Sequence, residues 1–369
     1  MIANQAARPQ NIPGYHLARW EMLRRMVLLA SLLLVVLPPI GAASGKERLR
    51  FEGQVTLPPH TFSPKKRLTI WLHGVDTPYA SHTWADGSGR FHFGNLTPGI
   101  YSLAIYIPDD GEIVQTVDIT RSFADSKRKV QKQFVFDEER LRLLLNSIPQ
   151  SLVSVRQLSI PFRSNDEYRK AQNRLERHDV EGAIRHLQRA VELAPQFVEA
   201  LNHLGTISFQ RREFSKAEHY FRQALDQDPR AYEPLVNLGG ALLAQRRDRE
   251  ALAINLHAQN ARPRDPLANA QLGLSYFAVG EYERAIQCFQ VTEELDPAHF
   301  SNPQITLAEI YLRRADSGAA LRELEAFLKV HPDSAQAQTV RAAIDRLKNT
   351  QSEPDNSINH ERHEKHERV

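Results

Sequence analysis

Cysteine is almost missing: Cys288 is the single one in 369 residues, so neither an intrachain disulfide nor a thiolate metal cluster can form. No sign of charge dominates. The 47 basic and 44 acidic residues leave a formal net charge of +3, which implies no nucleic-acid or acidic-substrate partner. The chain also lacks H-E-x-x-H, G-x-S-x-G, G-x-x-x-x-G-K and G-x-G-x-x-G, the spacings used for zinc hydrolysis, serine hydrolysis, phosphate cradling and dinucleotide binding. No catalytic constellation, metal or cofactor is therefore expected. Its 41% hydrophobic and 25% charged content is that of an ordinary soluble protein, long enough for two domains.

Long apolar runs are equally scarce. The one that stands out, Met26 to Leu37, is broken by Ser31, preceded by Arg24-Arg25 and followed by Pro38-Pro39 and Gly41-Ala42-Ala43-Ser44. Charge, apolar run, breaker and small-residue exit make residues 1–44 an export signal with cleavage near Ala43. About 12 residues at 1.5 Å reach ~18 Å, short of the ~30 Å hydrocarbon core. A membrane anchor follows only if the segment is retained. A start at Met22 would give a conventional short charged region. The expected location is the periplasm or envelope.

Residues 46–136 alternate with period two. Leu68, Ile70 and Leu72 interleave with Thr69, Trp71 and His73; Tyr101, Leu103, Ile105 and Ile107 share one face. Turn signals at Asp86-Gly87-Ser88-Gly89, Thr97-Pro98-Gly99 and Asp109-Asp110-Gly111 separate about seven short strands, which predicts an antiparallel β-sandwich. The run from Asp86 to Leu103, with its acidic-Gly turn, Phe91 and Phe93, Asn95-Leu96-Thr97-Pro98-Gly99 and Tyr101, resembles the carboxypeptidase regulatory-like (transthyretin-like) sandwich. That resemblance implies an accessory module without chemistry of its own.

Two side-chain groups there have a functional and a structural reading. Trp71, Trp84, Tyr79 and Tyr106 could form a platform for sugar rings, or pack at an edge or between domains. His60, His73, His82 and His92 lack the tight pairing of a metal site. Lys127-Arg128-Lys129 with Lys132 reads as a solvated edge strand. Residues 137–163 form a connector, with a short leucine-bearing helix over 138–146, a strand over 152–160, and an expected place between the domains.

From 164 to 333 the chain repeats itself. Ala183, Ala217, Ala251 and Ala285 fall 34 residues apart, as do Gly205, Gly239 and Gly273, and Pro195, Pro229, Pro263 and Pro297. Small residues let two helices of a hairpin approach, and Leu187, Phe221, Phe289 and Leu324 fill the gaps. This pattern resembles the tetratricopeptide repeat (TPR), in about five units. The fifth is displaced by one, Ala320 lying 35 after Ala285, with the extra residue around His299 to Asn302. Asn255 replaces the usual large apolar residue, so the third unit should pack more loosely. A capping helix over 334–349 closes the array with Val340, Ile344 and Leu347. The polar tail over 350–369 should be disordered; its His360, His363 and His366 could hold a metal weakly, but a mixed-charge solubilising tail is the plainer reading.

The fold class is thus multidomain, an all-β sandwich followed by an all-α superhelical solenoid. The resemblance implies a concave groove lined by the first helices. Its positions are Glu199, Asn202, Thr206 and Phe209; Glu233, Val236, Gly240 and Leu243; Leu267, Ala270, Leu274 and Phe277; and Asn302, Ile305, Glu309 and Leu312. The Lys/Asn/Arg set with which some members clamp a terminal carboxylate is absent. The apolar middle suits a hydrophobic peptide, unless Leu274, Phe277 and Leu312 merely pack on neighbouring helices. His203, Asn237 and Gln271 form a polar row that could hold a ligand backbone or be structural. Cys288 reads as a small filler. The leading expectation is an exported, non-catalytic adaptor binding a protein or peptide. The alternative is an envelope glycan binder, with polysaccharide on the sandwich and the repeats recruiting an enzyme.

Overall fold

The computed structural model describes residues 48–59, 67–108, 110–145 and 159–352. The export segment, His60, most of the strand expected over 152–160 and the tail beyond 352 lie outside them.

Seven strands form two packed sheets: β1 Leu49–Thr56, β2 Thr69–Gly74, β3 Ala80–Trp84, β4 Arg90–Leu96, β5 Gly99–Ile107, β6 Gly111–Ile119 and β7 Lys129–Val135. The sheet orders are β4-β1-β7 and β3-β2-β5-β6. Alternate residues of each strand meet between the sheets, where Phe51, Ile70, Leu72, Phe91, Phe93, Tyr101, Leu103, Ile105, Ile113 and Val117 make one core. The expectation of a wholly antiparallel sandwich is corrected at one edge. β7 runs parallel to β1, from Arg50 opposite Lys129 to Thr56 opposite Val135. After β6 the chain passes a short 3-10 turn at Arg121–Phe123 and changes sheets, and alternation of side chains carries no information about strand direction. Gly89, at φ 77°, turns the chain where a Cβ would strike the Val55 carbonyl. The Tyr101 hydroxyl donates to the Thr97 carbonyl at 2.7 Å, tying β5 to the turn before it.

Helix α1 (Glu138–Leu144) starts on Asp137, whose carboxylate accepts from the Arg140 amide at 2.7 Å. Leu141 and Leu144 join the sandwich core, as a hydrophobic connector must. Five helical hairpins follow: α2 Phe162–Glu176 with α3 Val180–Leu193, α4 Val198–Gln210 with α5 Phe214–Gln227, α6 Tyr232–Ala244 with α7 Asp248–Ala261, α8 Pro266–Ala278 with α9 Tyr282–Leu295, and α10 Pro303–Arg313 with α11 Ser317–Val330. Helix α12, Ala337–Ser352, brings Val340 and Ile344 against Leu324 and Phe327. No helix among the described residues is long and apolar enough to cross a membrane.

Each hairpin closes on a small residue under a large one. A Cβ at Gly205 would fall on the Phe221 ring, and one at Gly239 on the Asn255 amide. The expected looseness of the third unit is therefore corrected. Asn255 is fully buried, approaches Gly239 as closely as the phenylalanines approach their glycines, and donates to Ser275 Oγ at 2.9 Å and the Gln271 carbonyl at 3.3 Å. Within every hairpin the turn passes through one left-handed residue: His178, Arg212, Arg246, Gly280 or Ala315. The displaced fifth unit has a physical form too. The turn over 296–302 is long, left-handed Asn302 (φ 50°) enters α10, and α10 has 11 residues where α8 has 13.

Candidate functional site

Strands β2, β5 and β6 of the four-stranded sheet are largely buried on both faces. All six residues of β2 are buried; Ile70 and Leu72 face the core, so Trp71 and His73 are covered from the other side, as are Ala104, Tyr106, Glu112 and Thr116. The first helices behave alike: every residue from Glu199 to Phe209 in α4 and from Tyr232 to Leu242 in α6 is buried. One-sided burial is what an open solenoid groove requires. The cover is the sandwich itself. Val75, Ile100 and Val114 cluster with Tyr232, Leu235, Val236, Leu267 and Ala268.

Polar contacts follow the seam along the array. Ser81 Oγ donates to Glu176 at 3.1 Å, and His178 Nε2 lies 2.8 Å from the Asn95 carbonyl. Gln210 donates to the carbonyls of Gly74 and Val75 at 3.0 and 3.2 Å. Further along, the Thr116 amide and hydroxyl donate to Asp296 at 2.9 and 2.7 Å. Arg140 in α1 donates to the Glu294 carbonyl at 2.9 Å.

At the centre Arg262 bridges the modules. Its guanidinium donates to Glu112 of β6 at 2.9 Å and Glu233 of α6 at 3.2 Å, and lies 3.9 Å from the Tyr232 ring centroid. Burial pushes the Glu112 carboxyl up to about 7, and the Arg262 charge offsets part of that rise. Burial also raises Asp265. A charge pair so placed holds position at a desolvation cost. Burial, with His73 nearby, brings the His203 imidazole down to about 3, so it is neutral at the seam.

The positions expected to line an open groove divide accordingly. Asn202, Thr206, Phe209, Val236, Gly240, Leu267 and Ala270 are buried; Leu243, Leu274, Phe277 and Ile305 are half-buried; Glu309 and Leu312 are exposed. The expectation of a free groove along the whole set is corrected: the sandwich covers Val236 and Leu267, and Phe209 packs inside the array against Phe221 and Leu238. Glu199 and Glu233 are buried too, and Asn302 precedes α10 and faces Gln336 at 3.5 Å. The row His203, Asn237 and Gln271 is buried, with Asn237 donating to Asn202 at 3.0 Å.

The sugar platform is also corrected. Trp71, Tyr79 and Tyr106 are buried, and Trp84 alone of the four is open, at 52% exposure. Tyr79 stacks on His178 of the array at 5.3 Å. His82 stacks on Trp71. Among the described residues no group of three or more His, Cys, Asp or Glu could hold a metal. Burial pushes the Cys288 thiol up to about 11, which keeps it protonated at neutral pH. Arg262, Glu112, Gln210 and Asp296 were missed in the sequence. The one available signal was Glu112, a carboxylate opening the strand that carries Ile113, Val114 and Val117.

Among the described residues, the rim at the C-terminal ends of the later first helices is only partly covered, with Leu243 and Phe277 half-buried and Leu312 exposed. Leu243, Phe277 and Leu312 hold equivalent places there, and the Arg313 guanidinium lies 5.2 Å from the Phe277 ring centroid.

Two family models described as tetratricopeptide repeat match this chain, over residues 198–231 and 305–344. Anaphase-promoting complex subunit 3 of Schizosaccharomyces pombe (strain 972 / ATCC 24843) is 26% identical over 165 residues, 44% of this chain and 24% of that one; the chain spans about a quarter of that relative's length. Solved structures that match part of the chain include MamA, residues 41 to the end, from Desulfovibrio magneticus RS-1 (21% identity, TM-score 0.44, 48% of this chain and 99% of that one). Another is the thermophilic TPR protein TTC0263 of Thermus thermophilus (20%, TM-score 0.39, 50% and 98%). Repeats of this kind mediate protein–protein interaction and are generally non-catalytic. The first matched segment is the second hairpin and the other runs from the fifth hairpin into α12, so the chain carries tetratricopeptide repeats in these two stretches.

Proposed function

We propose that the chain is an exported, non-catalytic adaptor that binds a protein partner on the rim of its repeat array, with its own sandwich filling the concave face. The observation that carries this reading is the division of the groove: Val236 and Leu267 pack against the sandwich while Leu312 stays 44% exposed. The sandwich is read as a carboxypeptidase regulatory-like module, on the turn residues Asp86 to Gly89 and Thr97 to Gly99 and on Tyr101; its role is to brace the array. Export rests on Arg24-Arg25 and the run Met26 to Leu37.

Capture of a partner by the full chain from an envelope extract tests the adaptor role. Leu312→Asp should abolish stoichiometric capture with unchanged melting, whereas Leu256→Asp, on a second helix and 41% exposed, should not. Equal behaviour of the two variants would remove the rim from consideration. Fusing residues 1–46 to a reporter active only after export tests the other half, with activity lost when Met26–Leu37 is deleted.

A further inference from the structure

The five left-handed turn residues are not equally placed. A side chain with a Cβ is disfavoured at such a φ and glycine is not; Gly280 takes the position at φ 83°. His178 uses its side chain against Asn95 and Tyr79 of the sandwich. Arg212 (φ 63°) and Arg246 (φ 61°) are exposed, and among the described residues neither guanidinium has an ion-pair or hydrogen-bond partner. Their neighbours do: Arg211 pairs with Glu181, and Arg247 with Glu218 and Glu250. The chain therefore sets two bare guanidinium groups, one repeat apart, where its backbone favours glycine.

These two sit on the same rim as the apolar row. Leu243 lies three residues before Arg246, on the same helix end, and Phe277 and Leu312 repeat its place in the next two units. Two acidic residues of that later half are already bound, Glu281 to Arg284 and Glu309 to Arg313. The rim thus runs from surplus positive charge at units two and three to half-open Phe277 in unit four and exposed Leu312 in unit five. Neighbouring first helices pack ~9 Å apart, and a polyproline-II segment advances ~3.1 Å per residue and returns a side chain to the same face every third residue. Three residues of such an extended segment span one step and keep one face toward the rim.

We propose that this rim binds an extended segment of the partner protein bearing two carboxylates three residues apart, followed at the next two three-residue steps by apolar side chains. The carboxylates meet Arg212 and Arg246, whose planar donors suit them; the apolar side chains cover Phe277 and Leu312. This deepens the rim reading above and rests on it.

Fluorescein-labelled ten-residue peptides with Asp, Asp, Leu and Leu at three-residue steps, Ser and Thr between, and both chain orders synthesised, provide the probe for fluorescence anisotropy on the full chain. One order should bind, more weakly at high salt, and Lys in place of Asp should remove binding. Arg212→Gly with Arg246→Gly should weaken it about tenfold or more while leaving the melting temperature unchanged or raised, because glycine relieves both turns. Equal binding of the Asp and Lys peptides, or an unaffected double-glycine variant, overturns the proposal. So does a sulfated dextran competing as well as the peptide with its leucines changed to Ser, since that identifies a polyanion as the occupant. If the peptides fail while partner capture still depends on Leu312, the peptide chemistry is wrong and the rim reading stands; if Leu312→Asp leaves capture intact, both fall.

Discussion

Replacing Arg262 with Met tests whether the sandwich is held in the groove by the buried charge cluster. Met fills most of the volume but removes the cation between Glu112 and Glu233. Leaving a buried carboxylate unpaired costs ~3–5 kcal/mol, and the lost contact with the Tyr232 ring adds about 1 kcal/mol. Protonation limits the damage. Glu112, 2% exposed, already has its carboxyl at about 7, so neutralising it at pH 8 takes only ~1.4 kcal/mol. The expected loss is about 3 kcal/mol at pH 8. Its pH dependence has a definite sign. A carboxyl whose folded pKa exceeds its unfolded value contributes stability at low pH and loses it as pH rises through the folded value. Without Arg262 that pKa rises further, so the penalty should shrink by roughly 1 kcal/mol on going to pH 6. Urea unfolding followed by tryptophan fluorescence, which reports on seam residue Trp71, measures both numbers. Adding Glu112→Gln to the variant should remove the pH dependence and expose the coupling between the pair. A loss under about 0.5 kcal/mol at both pH values, within the range of an ordinary surface substitution, would show that this cluster does not hold the modules together.

Two further outcomes follow from the same packing. Gly239→Ala places a Cβ on the buried Asn255 amide and should cost ~1–3 kcal/mol by overpacking; adding Asn255→Ala should recover part of it, and a neutral Gly239→Ala in a thermal melt would contradict the close approach. Burial holds His203 at about 3, His299 at about 3 and His331 at about 4, so all three are neutral when folded and take up protons on unfolding below about pH 6.5. Stability should therefore fall as pH drops through that window, by about 1.4 kcal/mol per unit for each histidine; His203→Gln should make the fall shallower in urea titrations between pH 6.5 and 4, and an identical slope would refute the assignment.

Periodicity made most of the architecture legible. The step of 34 between Gly205, Gly239 and Gly273 located the hairpins, because only a small residue admits the facing ring, and the 35-residue step to Ala320 marked the lengthened turn before α10. The turn residues around Gly89 and Gly99 located the strands. Strand direction was not legible, since Lys129 to Val135 alternates identically whether it runs with β1 or against it. Nor was the quality of packing around Asn255: an amide reads as a gap in a row of phenylalanines until Ser275, contributed by the next repeat, is known to accept from it.

The covered groove was the largest departure, and its cause lies in how the two faces are written. Groove positions such as Val236, Leu267 and Ala270 are apolar whether a peptide or a domain will cover them, so the array alone cannot distinguish a waiting site from a filled one. The distinguishing residues are on the other partner. A sandwich with one face in water alternates apolar with polar, yet β5 places Ala104 and Tyr106, and β2 places Trp71, on positions that point away from the core. These outward residues were open to two readings, a ligand platform or a contact, and a sugar-binding face would need them exposed in one row. The polar groups among them decide the matter. Glu112, Thr116 and His73 would be at home in water, but each is buried, and the first two find partners in Arg262 and Asp296, 150 and 180 residues away. A seam assembled from such distant, individually ordinary residues has no local signature, so the same sequence that announces a binding array conceals that the array has already bound part of its own chain. The search for a partner moves accordingly to Leu312 and the arginine-bearing turns, which stay exposed among the described residues.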